Sequence, residues 1–100
     1  MVNITKEEFQ RIYDNIKKLN AKALFYFRGI KYVICMNKLI KSIDKNFNVV
    51  PWSISFGSKS PYEVLSSFHI EKIEVEIGGK ESIVFNDLKE FTYWLYKHEH

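Results

Sequence analysis

Apolar residues return every three to four positions in three stretches of the chain, and a helix start signal precedes each stretch. In these signals a Ser, Thr or Asp cap is followed three residues later by Glu, so that the two side chains satisfy free backbone N–H groups at the helix start. The three pairs are Thr5 with Glu8, Ser60 with Glu63, and Asp87 with Glu90. The pattern predicts helices over about 6–19, 61–67 and 88–98, the first stopping at Asn20.

Two other stretches are typical of β-hairpins. Residues 22–37 hold two aromatic and β-branched runs on either side of Arg28-Gly29, and alternation places Phe25 and Phe27 on one face. Residues 71–85 alternate apolar and charged positions and turn at Gly78-Gly79. The clean alternation in the second hairpin predicts a sheet with one dry and one wet face.

Two segments are less distinct. Residues 38–47 fit a helix begun by Asn37 and fit nearly as well a strand that ends at the Asp44-Lys45-Asn46 turn. Residues 48–56 have the composition of a strand, and Pro51, which has no N–H for a ladder, is expected at an edge or a bulge.

Together these elements predict a single α+β domain over residues 1–100. Its sheet is expected to be antiparallel or mixed, with four to five strands built from the two hairpins. The N- and C-terminal helices are expected to pack on that sheet.

Composition narrows the class further. A chain that is 46% hydrophobic and 16% aromatic is expected to fold rather than stay disordered. Its longest apolar runs, 23–27 and 32–36, are far shorter than a membrane span, and its start lacks a signal-peptide pattern. We therefore expect a soluble cytoplasmic protein without a membrane partner. The single cysteine, Cys35, is expected to be a buried, inert thiol.

The charges point to origin and partners. Thirteen lysines against two arginines are typical of an AT-rich genome, so we expect a bacterial or phage protein. Residues 1–59 carry eleven cationic and four acidic side chains, whereas residues 60–100 carry four and eight. This division suits an anionic partner, a basic partner or a second copy of the chain in a homo-oligomer.

Signatures of catalysis are missing from the sequence. It has no Gly-rich phosphate loop, no GxSxG and no CxxC motif. On a helix His98 and His100 point in different directions, so His98 is expected to be a partly buried, hydrogen-bonded side chain rather than a metal ligand. We expect neither enzymatic activity nor a metal or cofactor.

A binding module is the favoured interpretation, most of all a small protein-binding inhibitor or regulator. The alternative is a nucleic-acid-binding protein that uses the basic 22–45 region, where aromatic residues lie among lysines. A small toxin-type ribonuclease using Arg28, Lys31, Tyr26, Tyr32 and His98 is an outsider, since arginine is scarce. The candidate contact residues are Lys22, Tyr26, Arg28, Lys31, Tyr32, Lys38, Lys41, Trp52 and Tyr93.

Overall fold

A computed structural model describes residues 4–99, which form a six-stranded antiparallel sheet and four helices. In chain order the elements are α1 (Lys6–Lys18), β1 (Ala21–Phe27), β2 (Val33–Met36), β3 (Ile40–Ile43), β4 (Val49–Val50), α2 (Trp52–Ser55), α3 (Pro61–Ser67), β5 (Ile70–Ile77), β6 (Ile83–Phe85) and α4 (Leu88–Lys97). The strands lie in the order β4-β3-β2-β1-β5-β6. The α+β class is thereby confirmed, with one strand more than the largest number expected.

The three helix predictions are confirmed, and each helix begins at the predicted cap residue. Thr5 Oγ1 accepts from the Glu8 N–H at 3.1 Å, and Glu8 accepts from the Thr5 N–H at 3.3 Å; Ser60 and Glu63 repeat the arrangement. At α4 the reciprocal half was wrong by one residue. Asp87 accepts from the Glu90 N–H, but the Glu90 carboxylate accepts from Asn86 instead of Asp87.

Both predicted hairpins are present, and the ambiguous segment 38–47 resolves as a strand followed by a turn. Gly78 and Gly79 both have positive φ, as the two central residues of a type I′ turn require, and the Lys80 N–H closes that turn on the Ile77 carbonyl at 3.0 Å. β5 pairs with β1, so the second hairpin extends the sheet that the first one begins.

The prediction of one strand over residues 48–56 was wrong. Only Val49–Val50 pair with β3, and Trp52–Ser55 form the short helix α2. Pro51 ends the strand because it has no N–H to donate to a ladder, and the Ile54 N–H then closes a helical turn on the Pro51 carbonyl. The expectation that Pro51 lies at a sheet edge is confirmed, since β4 is an outermost strand.

Two apolar clusters lie on opposite faces of the sheet. The larger one contains every buried apolar side chain of α1, α3 and α4, packed on alternate strand residues such as Phe25 and Ile73. The smaller one contains only strand residues: Leu24, Val33, Cys35 and Ile43, with Tyr26 beside them. The helices therefore pack on one face, and the terminal helices lie on the sheet as expected. Within residues 4–99 no helix is long and apolar enough to cross a membrane.

Candidate functional site

The face of the sheet opposite the helices is the most distinctive surface of the molecule, and we call it the helix-free face. Strand register places on it Lys22, Leu24 and Tyr26 of β1, Val33 and Cys35 of β2, Lys41 and Ile43 of β3, Val49 of β4, Lys72, Glu74 and Glu76 of β5, and Val84 of β6. Its centre is apolar, because Leu24, Val33, Cys35 and Ile43 are buried there without any helix above them.

Phe47, in the turn between β3 and β4, lies over part of this face. Together with Leu24, Lys22 and Glu74 it lines a small cleft of about 130 Å³. The Phe47 side chain is nevertheless 65% exposed. An aromatic ring therefore projects from the helix-free face with one side toward solvent.

The turn that carries Phe47 is held together by Asp44. The Asp44 carboxylate accepts from the backbone N–H groups of Asn46 at 2.9 Å and Asn48 at 3.0 Å, and the Phe47 N–H donates to the Asp44 carbonyl at 3.0 Å. These hydrogen bonds, chiefly the one from Asn48, lower the pKa of Asp44. An Asx turn of this kind holds its backbone in one conformation, so Phe47 is presented on a fixed support.

Phe47 also adopts a backbone conformation that its side chain disfavours. Its φ is +66°, in the left-handed region where Gly and Asn are common and a bulky residue is an outlier. The only other residue of the described chain besides glycine with positive φ is Asn20, a residue type that tolerates it. The Phe47 ring thus combines backbone strain with exposure to water, and neither favours folding.

Lysine and glutamate side chains surround the apolar centre in nearly equal number. The lysines are Lys22, Lys41 and Lys72, and the glutamates are Glu74 and Glu76. Lys22 Nζ lies 3.8 Å from a Glu76 carboxylate oxygen. The face is therefore close to electrical neutrality.

Tyr26 sits among these charges. Its hydroxyl donates to Glu74 over a long 3.5 Å, and the Lys72 ammonium lies 4.6 Å from the centre of its ring. Partial burial, reinforced by the Glu74 charge, raises the pKa of Tyr26. The Tyr26 ring is thus held in a fixed position between an ammonium and a carboxylate.

The residues singled out from the sequence fall into several places. Lys22, Tyr26 and Lys41 come together on the helix-free face. Arg28 and Lys31 lie in the loop after β1, at one end of the sheet. Lys38 lies at the other end, where it lines a cleft of about 490 Å³ with Lys17 and Lys22.

Three aromatic candidates lie elsewhere. Tyr32 and Trp52 pack against Phe56 on the helix side, with ring centres 6.4 and 4.9 Å from it. The Trp52 indole N–H donates to the Lys59 carbonyl at 2.7 Å, so its polar group has a partner within the chain. Tyr93 on α4 is exposed, with the Lys97 ammonium 4.3 Å from its ring centre.

Of the two C-terminal histidines, only His98 lies within the described residues, and His100 lies outside them. The His98 ring packs on Trp94 with centres 4.5 Å apart, and its Nδ1 lies 2.8 Å from the Trp94 carbonyl, so the expected hydrogen bond is present. The expectation that His98 is partly buried was wrong, because the residue is exposed. No group of His, Cys, Asp and Glu suited to a metal ion occurs within residues 4–99. Cys35 is buried as expected, and that burial raises the pKa of its thiol.

Sequence reasoning missed Phe47, Val49 and Val84 as surface residues. One signal for Phe47 was available: an aromatic residue stands among Asp44, Lys45, Asn46 and Asn48, in a segment otherwise composed of turn formers. Val49 and Val84 carry no such signal, because their exposure follows from which strands end up outermost.

Comparison with known proteins adds no further constraint. Neither the protein-family models, nor the curated proteins, nor the solved structures contain a match to this chain.

Proposed function

We propose that the chain is a protein-binding module whose helix-free face docks a partner protein, with the Phe47 ring as the anchor. The observation that carries the proposal is the conformation of Phe47. Stability alone favours Gly or Asn at a position with positive φ and water around the side chain. A large ring held there by a rigid turn suits an interface, where aromatic anchors contribute most of the binding energy.

The chemistry of the partner follows from the shape and charge of the face. A projecting ring needs an apolar pocket to receive it, and the Asp44 turn lowers the entropy lost on docking. Lys22, Glu74 and Glu76 line the same cleft as the ring and provide charges of both signs, typical of the polar rim of a protein interface. For the chain itself we keep the role that the sequence suggests, that of an inhibitor or regulator of the partner.

Nucleic-acid binding is the second candidate, and Lys22, Lys41 and Lys72 on one face are the observation that favours it. Against it, Glu74 and Glu76 lie among these lysines, and Glu76 already neutralises Lys22. Such carboxylates repel a phosphate backbone. A nucleic-acid partner would be recognised by affinity that falls steeply as salt rises.

The test compares baits in a pull-down from the native host. We expect a specific partner to be retained by the wild type and by Leu39→Ala, which removes an equally exposed side chain in the β2–β3 turn, and to be lost with Phe47→Asn. Asp44→Ala keeps the ring but loosens its support, so it should weaken binding by about tenfold. A partner retained equally by the wild type and Phe47→Asn would overturn the proposal.

A further inference from the structure

The two edges of the sheet are protected to different degrees. β4 forms one edge with only two residues, and Pro51 follows it directly. Short edge strands and proline are devices by which proteins prevent a foreign strand from pairing. This edge is therefore closed to strand addition.

β6 forms the opposite edge and is also short, with three residues, but no proline lies in it or next to it. Its residues Ile83, Val84 and Phe85 include no charge and no proline. The Ile83 and Val84 side chains are 40% and 53% exposed, and within residues 4–99 no strand pairs with the outer side of β6. Outward backbone N–H and C=O groups at this edge are available to an added strand.

The β6 edge adjoins the Phe47 site. Ser82, which immediately precedes β6, lines the same cleft as Phe47 and Glu74. Val84 lies opposite Glu74 on the helix-free face, whereas Phe85 lies opposite Ile73 on the helix side. A strand added to β6 would thus extend the face from which Phe47 projects.

The surroundings of the edge are acidic. Of the charged residues nearest β6 in register and in sequence, Glu74, Glu81 and Asp87 are acidic and Lys80 is basic. Glu81 and Asp87 flank β6 at its two ends. An incoming strand with Lys or Arg side chains is favoured by this charge, and an acidic strand is disfavoured.

We propose that β6 binds an extended, basic segment of the partner protein by strand addition. This inference rests on the proposed protein-binding function and names the form of the partner. The backbone of the segment supplies the hydrogen bonds, alternate apolar side chains pack beside Val84 or Phe85, and Lys or Arg side chains face the acidic surroundings.

The test uses a displayed library of random linear peptides of about ten residues, selected on the full chain. We expect the selected peptides to alternate apolar and other residues and to be rich in Lys and Arg. Val84→Lys changes an exposed side chain and leaves every backbone N–H in place, so the protein should fold normally. Val84→Lys should lower the affinity for the selected peptides by about tenfold, because it places a positive charge beside their Lys and Arg side chains.

Two proline variants probe the backbone itself. Along an edge strand, N–H groups point alternately toward the neighbouring strand and outward. Of Ile83→Pro and Val84→Pro, the one that loses an N–H to β5 should be destabilised, and the other should stay folded. The folded variant should lose peptide binding, while Tyr93→Ala on α4 should keep it.

The inference and the function on which it rests fail in different ways. Peptides whose apolar residues recur at helical spacing, acidic peptides, or binding that survives both Val84→Lys and the folded proline variant would each overturn strand addition. If strand addition is overturned but Phe47→Asn still loses the native partner in the pull-down, the proposed protein-binding function holds. If the native partner binds the wild type and Phe47→Asn equally well, the proposed function is itself overturned.

Discussion

The guanidinium of Arg11 donates two hydrogen bonds to the carboxylate of Glu99, which lies 88 positions further along the chain. Arg11 Nε donates to Glu99 at 2.8 Å, and the guanidinium stacks over the Tyr96 ring with its central carbon 3.7 Å from the ring centre. The buried Asn15 side chain adds a hydrogen bond to the same carboxylate at 2.9 Å. The contact joins α1 to the segment that follows α4.

This contact makes stability depend on pH. The hydrogen bonds from Arg11 lower the pKa of Glu99 from 4.5 to about 2. Because the pKa is lower in the folded state, ionised Glu99 stabilises the fold above about pH 4.5, and that contribution is lost as the pH falls toward 2. In urea unfolding we expect Glu99→Gln to be less stable than the wild type near neutral pH and to converge with it in acid. A difference that is constant with pH would contradict the ion pair.

Phe47 allows the backbone strain to be measured directly. Phe47→Ala and Phe47→Gly remove the same ring, but only glycine accepts a positive φ without steric cost. We expect the glycine variant to be more stable than the alanine variant by about 1 kcal/mol. Urea unfolding of the two proteins gives this difference. Leu39→Gly and Leu39→Ala provide the control, because Leu39 has no positive φ and glycine should gain nothing there.

Phe91 and Tyr93 lie two residues apart on α4 and differ in burial. Phe91 is fully buried, with its ring centre 5.7 Å from that of Phe25, whereas Tyr93 is 67% exposed. Phe91→Ala is expected to lower the free energy of unfolding by about 3–5 kcal/mol, a large share of the stability of a domain this size. Tyr93→Ala should change it by less than about 0.5 kcal/mol. Equal effects would mean that α4 presents a different face to the sheet.

Cys35 is expected to react slowly with thiol reagents in the native state. It is buried among Leu24, Val33 and Ile43, and burial raises its pKa, so little thiolate forms near neutral pH. Modification by an aromatic disulfide reagent should be slow in buffer and rapid in denaturing urea. Fast native modification would show that the centre of the helix-free face opens readily.

The sequence by itself determined the local elements of this protein. The caps at Thr5, Ser60 and Asp87 and the glycine turn at 78–79 act through hydrogen bonds and φ values within a few residues, so their signals lie within a few letters. Alternation likewise placed Phe25 and Phe27 on one face of the first hairpin and the apolar positions of the second hairpin on a dry face, and the structure buries Phe25, Phe27, Ile73 and Val75 in one cluster.

Tertiary structure decided which of these residues face outward. β1 pairs with both β2 and β5, and all four helices pack on one side, which leaves the other face to Leu24 and its neighbours. The same packing places Trp52 against the larger apolar cluster and leaves Phe47 over the open face. Burial at each position depends on segments far apart in the chain, so nothing near Trp52, Val49 or Val84 in the sequence indicates it, and at Phe47 the only local sign is an aromatic residue in a turn.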